Sequence, residues 1–200
     1  MKEELAELLV VTARFLDYPD RIFYEECSNL DVYLKKYISS EEMQKEMSQR
    51  LMPLFLLEMK ELQELYVETF DYKEKTGLYL TAQELGDSRR RGDALIRLQK
   101  LIADLGFEKV GIELTDYIPM LMELLAVAPE SEEIHHLKRR LAYAIHRIYS
   151  QVSSSNPYFQ IFDSLMTHVF EAPSSEEIAR LLNEREEADL DELPYPMLYR

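Results

Sequence analysis

Few residues in this chain have the type and spacing that chemistry needs. Glu132-Glu133-Ile134-His135-His136 contains Glu-x-x-His, which sets two metal ligands on one helix face. A di-iron bundle requires two such motifs plus glutamates from facing helices. Neither His146 nor His168 has a glutamate three residues before it. A solvated helix surface is therefore the expected role, and a metal at Glu132, Glu133 and His135 is the enzymatic alternative. Cys27 is the single cysteine and lies on an apolar stripe, as a small buried thiol would. It excludes an intramolecular disulfide and any cysteine-cluster metal site. His-Glu-x-x-His, Walker, Gly-x-Ser-x-Gly and dinucleotide-binding patterns are all absent. No catalytic residue, cofactor or metal is expected.

Three other segments stand out. Tyr66-Val67-Glu68-Thr69-Phe70-Asp71 puts Tyr66 and Phe70 on one helix face, continuing a stripe through Phe55, Met59 and Leu62. Gly86-Asp87-Ser88-Arg89-Arg90-Arg91-Gly92 places three arginines at a helix start, where the dipole favours anions. Asp87 is the expected cap. Arg89, Arg90 and Arg91 read either as a solvated basic turn or as an anchor for carboxylates of another segment. In the third, Leu114, Ile118, Leu121 and Leu125 form a buried stripe, with Glu113, Asp116, Met120 and Glu123 roughly opposite. Asp116 reads blandly as a helix cap, with Pro119 in the first turn. Together with Tyr117, these carboxylates and the methionine also suit a basic, amphipathic peptide.

Helices must position these groups. Apolar spacing predicts helices near 5–18, 20–37, 39–71 with a break at Pro53, 87–105, 115–128, 131–152 and 157–171. Ser39-x-x-Glu42 and Ser174-x-x-Glu177 read as capping boxes, and Asn156-Pro157 as a helix start. No useful strand-period stretch and no internal repeat is present, so the fold class is all-α, a single helical bundle. Residues 1–183 read as one domain and 184–200 as an acidic, mobile tail whose end, Tyr195 to Tyr199, is apolar enough to dock.

The bulk numbers agree. Apolar residues make up 46 % of the 200, and glycine (5) and proline (8) are scarce. A net charge of −15, from 38 acidic and 23 basic residues, disfavours nucleic acid and anionic membranes and favours a basic partner. The longest apolar run, Leu51–Leu57, is far short of the ~20 residues that span a bilayer. The acidic start, Met1-Lys2-Glu3-Glu4-Leu5, is unlike an export signal, so a cytoplasmic location is expected.

In order and spacing, the three segments resemble the TorD/NarJ family of molybdoenzyme assembly chaperones, in particular its nitrate reductase branch. Thr76-Gly77-Leu78-Tyr79-Leu80-Thr81 followed by Gly86 to Gly92 is similar to that branch's Leu-Tyr-Leu-Thr … Gly-Asp-x-Arg-x-Arg-Gly pattern. Tyr66 to Asp71 resembles its tyrosine-to-phenylalanine helix end. Glu113 to Pro119 resembles the signature Glu-x-Pro-Asp-His-x-Pro, with Thr115 in place of the first proline and Tyr117 in place of the histidine. The resemblance implies a non-enzymatic, all-helical chaperone. It would bind the N-terminal peptide of the apo catalytic (alpha) subunit of nitrate reductase, assist molybdenum-cofactor insertion and delay membrane docking. The cofactor-delivery machinery is a further implied partner. The peptide would meet Tyr66, Phe70, Glu113, Leu114, Asp116, Tyr117, Pro119, Met120 and Glu123, while Asp87 and Arg89 to Arg91 anchor the fold or the partner. A chaperone of another molybdoenzyme and a permanent reductase subunit are the rival readings.

Overall fold

Side-chain caps set four of the helix starts. In a computed structural model that describes residues 2–27, 29–108, 111–180 and 182, Asp20, Asn29, Ser40 and Ser131 each accept a hydrogen bond from a first-turn amide. The helices are α1 (Lys2–Leu16), α2 (Arg21–Glu26), α3 (Leu30–Tyr37), α4 (Glu41–Phe55), α5 (Met59–Phe70), α6 (Leu80–Leu85), α7 (Arg90–Asp104), α8 (Ile118–Val127), α9 (Glu132–Tyr149) and α10 (Phe159–His168). A helical run at 175–180 follows, opened by the reciprocal bonds of Ser174 and Glu177 that the capping box predicts. Among the described residues the fold is all-α, and none of these helices is long and apolar enough to cross a membrane. The stretch 184–200 lies outside the described residues.

Several boundaries differ from the sequence reading. The expected helix over 20–37 is two, because Asn29 caps a fresh start at Leu30. Helix α4 runs through Pro53, and the chain breaks instead at Leu56 to Glu58, where Glu58 and Glu61 form a capping box. Ser40, not Ser39, caps α4; the Ser39 amide and hydroxyl donate to the Glu7 carboxylate, tying this corner to α1.

Helix α1 is nearly enclosed. Leu8, Val11, Ala13, Phe15 and Leu16 are all buried, and the hydroxyl of buried Thr12 donates back to the Leu8 carbonyl at 2.6 Å. It packs most extensively on α8 and also on α10 and α3. Helix α9 buries Ile134, Leu137, Leu141, Ile145 and Ile148 along one side and holds α10 and α6. Two arginines fasten the outer helices. Arg140 on α9 makes two parallel bonds of 2.7 Å to Glu84 on α6. Arg50 on α4 pairs with Glu46 at 2.8 Å and with Asp163 on α10 at 2.6 Å. The Cys27 thiol is buried beside a small apolar cavity of about 150 Å³ lined by Phe23, Leu54 and Leu62.

Candidate functional site

The three sequence segments converge, and backbone pairing brings them together. Tyr79 and Tyr117 form an isolated antiparallel bridge in which the Leu80 amide donates to the Asp116 carbonyl at 2.8 Å and the Ile118 amide to the Leu78 carbonyl at 2.9 Å. Residues 113–117 are therefore not helical, and α8 begins only at Ile118. A helical projection of Glu113 to Tyr117 does not apply, which overturns the placement of Asp116 opposite the buried stripe. Asp116 is wholly buried.

Its carboxylate acts on another helix. Asp116 Oδ2 accepts from the Thr81 amide at 3.2 Å and the Thr81 hydroxyl at 2.5 Å, so it caps α6 rather than α8. Arg91 reaches the same oxygen at 3.6 Å, donates from Nε to the Thr81 hydroxyl at 3.0 Å, and lies over the Tyr79 ring. Within the basic triplet the residues thus differ. Arg91 turns inward to a carboxylate of a distant segment, whereas Arg89 and Arg90 are exposed. Asp87 is exposed and does not cap α7; the hydroxyl of buried Ser88 accepts from the Arg90 amide instead.

A second polar knot lies where α5, α8 and the end of α1 meet. Tyr66 and Tyr117 share a hydrogen bond between hydroxyls at 2.9 Å. The Tyr66 hydroxyl also lies 3.2 Å from the Leu16 carbonyl, and that of Tyr117 lies 3.1 Å from Asp17 Oδ1. Burial, then the neighbouring Tyr66 and Asp17, push the Tyr117 phenol far above its ordinary range; burial raises Tyr66 as well. Both remain neutral hydroxyls at any physiological pH. Phe70 packs edge-on to Tyr66 and Tyr158, and Pro119 is buried in the first turn of α8. Of the residues expected to meet a peptide, Tyr66, Phe70, Asp116, Tyr117 and Pro119 are thus buried.

The accessible members are Glu113, Leu114, Met120 and Glu123. Glu113 accepts from the Tyr79 hydroxyl at 2.6 Å, and Leu114 is exposed on the loop before α8. Met120 and Glu123 line an apolar groove of about 390 Å³ with Val10 of α1, Ile102 of α7, and Leu124 and Val127 of α8. Phe107 and Glu108, just past the α7 end, complete it. Partial burial, then the nearby Asp17, raise the Glu123 carboxyl. Sequence reasoning missed Val10, Phe107, Glu108 and Thr81. Only Thr81 had a signal, the Leu-Tyr-Leu-Thr string, and that signal did not say it was a capping partner. Among the described residues no group of three or more histidine, cysteine, aspartate or glutamate side chains is placed to hold a metal.

No family model matches the chain. The nitrate reductase molybdenum cofactor assembly chaperone NarJ of Escherichia coli K12 is 30 % identical over 135 residues, which are 65 % of this chain and 56 % of that protein. The probable chaperone of the same name from Bacillus subtilis 168 is 40 % identical over 63 residues, 32 % of this chain and 34 % of that protein. The probable assembly chaperone NarW of Escherichia coli K12 is 26 % identical over 191 residues, 92 % of this chain and 77 % of that protein. These relatives, 26–40 % identical, support a place in the NarJ/TorD family. The match to Escherichia coli NarJ spans just over half of that relative's length. The names these relatives carry are those of chaperones, not enzymes.

Proposed function

We propose that this chain is a cytoplasmic, non-enzymatic assembly chaperone for a respiratory nitrate reductase. It binds the N-terminal segment of the apo catalytic subunit and holds that subunit open for molybdenum-cofactor insertion before membrane docking. The observation that carries the reading is the groove between α1, α7 and α8. Its walls are apolar and include an adaptable methionine, and Glu108 and Glu123 stand within it on a protein of net charge −15. An amphipathic segment with an apolar face and basic flanks matches that surface in both respects, as helix-in-groove recognition requires. Glu113 and Leu114, on the approach to α8, extend the contact. The buried Tyr66, Phe70, Asp116, Tyr117 and Pro119 lie outside the groove lining and serve the fold, and Arg91 with Asp116 sets the position of the α8 start.

Calorimetric titration with a peptide copying the N-terminus of the catalytic subunit from the same genome tests this. Binding should weaken with added salt and should fall in Val127→Glu, which puts charge on the groove's exposed lip, and in Glu123→Gln. Equal affinity in both variants would remove the groove from the mechanism.

A further inference from the structure

Helix α6 packs against both α7 and α9 and leaves a cleft of about 690 Å³ between those two. The floor is apolar, from Ala94, Leu98 and Leu101 of α7. The walls are basic. Arg97 stands on α7, Arg139 and Arg140 on α9, and Arg180 in the helical run that follows α10. Each carboxylate at the cleft already serves another group. Glu84 is taken by Arg140 through the two bonds of 2.7 Å. Glu132 and Glu133 sit in the first turn of α9, where the positive end of the helix favours them. Glu177 lies near Arg180 and Arg139 and accepts from the Ser174 amide at 2.9 Å. The side chains of Arg97 and Arg139 are exposed.

This side of the molecule is out of keeping with the rest of the chain. Residues 84–104, 132–147 and 175–180 hold ten basic and eight acidic side chains, so all other residues hold thirteen basic (23 less ten) against thirty acidic (38 less eight). A net positive face on a strongly acidic protein favours an anionic partner. The chain supplies one beside the cleft. From Glu184 to Leu193 it reads Glu-Arg-Glu-Glu-Ala-Asp-Leu-Asp-Glu-Leu, six carboxylates to one arginine, with two leucines three apart. Arg180, four residues before this stretch, itself lines the cleft, so the stretch starts from the rim. Helix α7, with 15 residues, is about 22 Å long, and ten extended residues reach roughly 33 Å. The length suffices to follow the cleft from end to end.

We infer that residues 184–193 of this same chain dock in the α7–α9 cleft, with Leu190 and Leu193 on the Leu98–Leu101 floor and the carboxylates paired to Arg97 and Arg139. The contact is intramolecular, so a short tether supplies a high effective concentration and individually weak ion pairs suffice. Docked, the segment covers the face that would otherwise draw nucleic acid or anionic lipid. This docking is independent of which client the protein serves.

Arg185 lies within the segment, so trypsin reads the docking in the full chain through release of the peptide 186–200. Cleavage follows the undocked fraction when docking exchanges faster than the bond is cut. Arg97→Glu/Arg139→Glu reverses two exposed charges of the cleft; Asp189→Asn/Asp191→Asn/Glu192→Gln neutralises the segment away from the scissile bond and leaves every cleft side chain in place. At unchanged far-ultraviolet circular dichroism, each should speed cleavage after Arg185 about fivefold over wild type. Lys35→Glu/Lys45→Glu, which makes the same charge change on α3 and α4, should leave the rate as it is. A wild-type rate in either the cleft or the segment variant would overturn the inference. So would equal acceleration in the Lys35/Lys45 variant, which would trace the effect to net charge rather than to a site. Protection that grows with protein concentration would also overturn it, because the segment would then sit on a second copy.

Discussion

Replacing Asp116 by alanine separates an internal carboxylate from a ligand-facing one. In the structure Asp116 is fully buried and its Oδ2 serves the amide and hydroxyl of Thr81 and the Arg91 guanidinium. Hydrogen bonds to a charged acceptor contribute about 1.5–3 kcal/mol each. Removing one partner of a buried pair costs about 3–5 kcal/mol. Arg91 keeps about a quarter of its side chain in water (24 %), so its stranded charge is partly rehydrated and the total belongs at the lower end. Asp116→Ala should therefore cost about 3 kcal/mol, and Asp116→Asn, which keeps one acceptor, about 1–2 kcal/mol. Against a total stability of roughly 5–15 kcal/mol the alanine loss is large. Urea unfolding followed by far-ultraviolet circular dichroism reads it as a lower midpoint at constant slope. An unchanged midpoint combined with weakened peptide binding would refute the internal role and return Asp116 to the binding surface.

Tyr117→Phe should cost about 1–2 kcal/mol, because it strips the hydroxyl that joins Tyr66 and Asp17. A loss under about 0.5 kcal/mol in the same urea assay would mean that the hydroxyl knot is incidental. The His168 and Arg50 contacts hold Glu46 below its ordinary 4.5, and Arg50 chiefly holds Asp163 below its ordinary 3.8. Their folded values are depressed, so this stability is complete above about pH 4.5 and is lost as pH falls through those values. Thermal melts from pH 7 to pH 3 should show the decline, and Arg50→Gln should flatten it; an equally steep acid limb in the variant would exclude this network as the cause. Burial pushes the Cys27 thiol up to about 12, so at pH 8 it should react with a disulfide reagent on the order of a thousandfold more slowly than in the unfolded chain. Immediate labelling of the native protein would contradict that burial.

The sequence was legible where a signal is local. The all-helical class, the start at Ser174-x-x-Glu177 and the burial of Ile118 and Leu121 on α8 follow from periodicity and caps, whereas Leu114, expected in the same stripe, is exposed ahead of the helix. Pro53 misled because it sits in the last turn of α4, where the helix continues for only two more residues before its own end at Phe55. The real break at Leu56 to Glu58 depends on a glutamate acting as cap, a residue type that capping rules rank low. Asp116 was misplaced for a different reason. Its environment is created by Leu78 to Thr81, more than thirty residues upstream, through a bridge that no periodicity announces. The motif strings were recognisable as strings, but which members face inward was decided by that long-range pairing. The groove was only half visible, through Met120 and Glu123, because Val10, Ile102 and Phe107 come from separate parts of the chain.

The packing of α1 on α8 bears on how this protein is made. Helix α1 finds its main partner only after residue 127 has been synthesised. At about 5–20 residues per second that leaves α1 without its principal contact for roughly 5–20 s. During that interval the apolar side of a short helix is open to water and to other nascent chains. The packing of α1 is thus deferred until the α8 segment closes over it and forms the Met120–Glu123 groove in the same step. A chain truncated before Ile118 would lack both its binding surface and the cover for its own N-terminal helix.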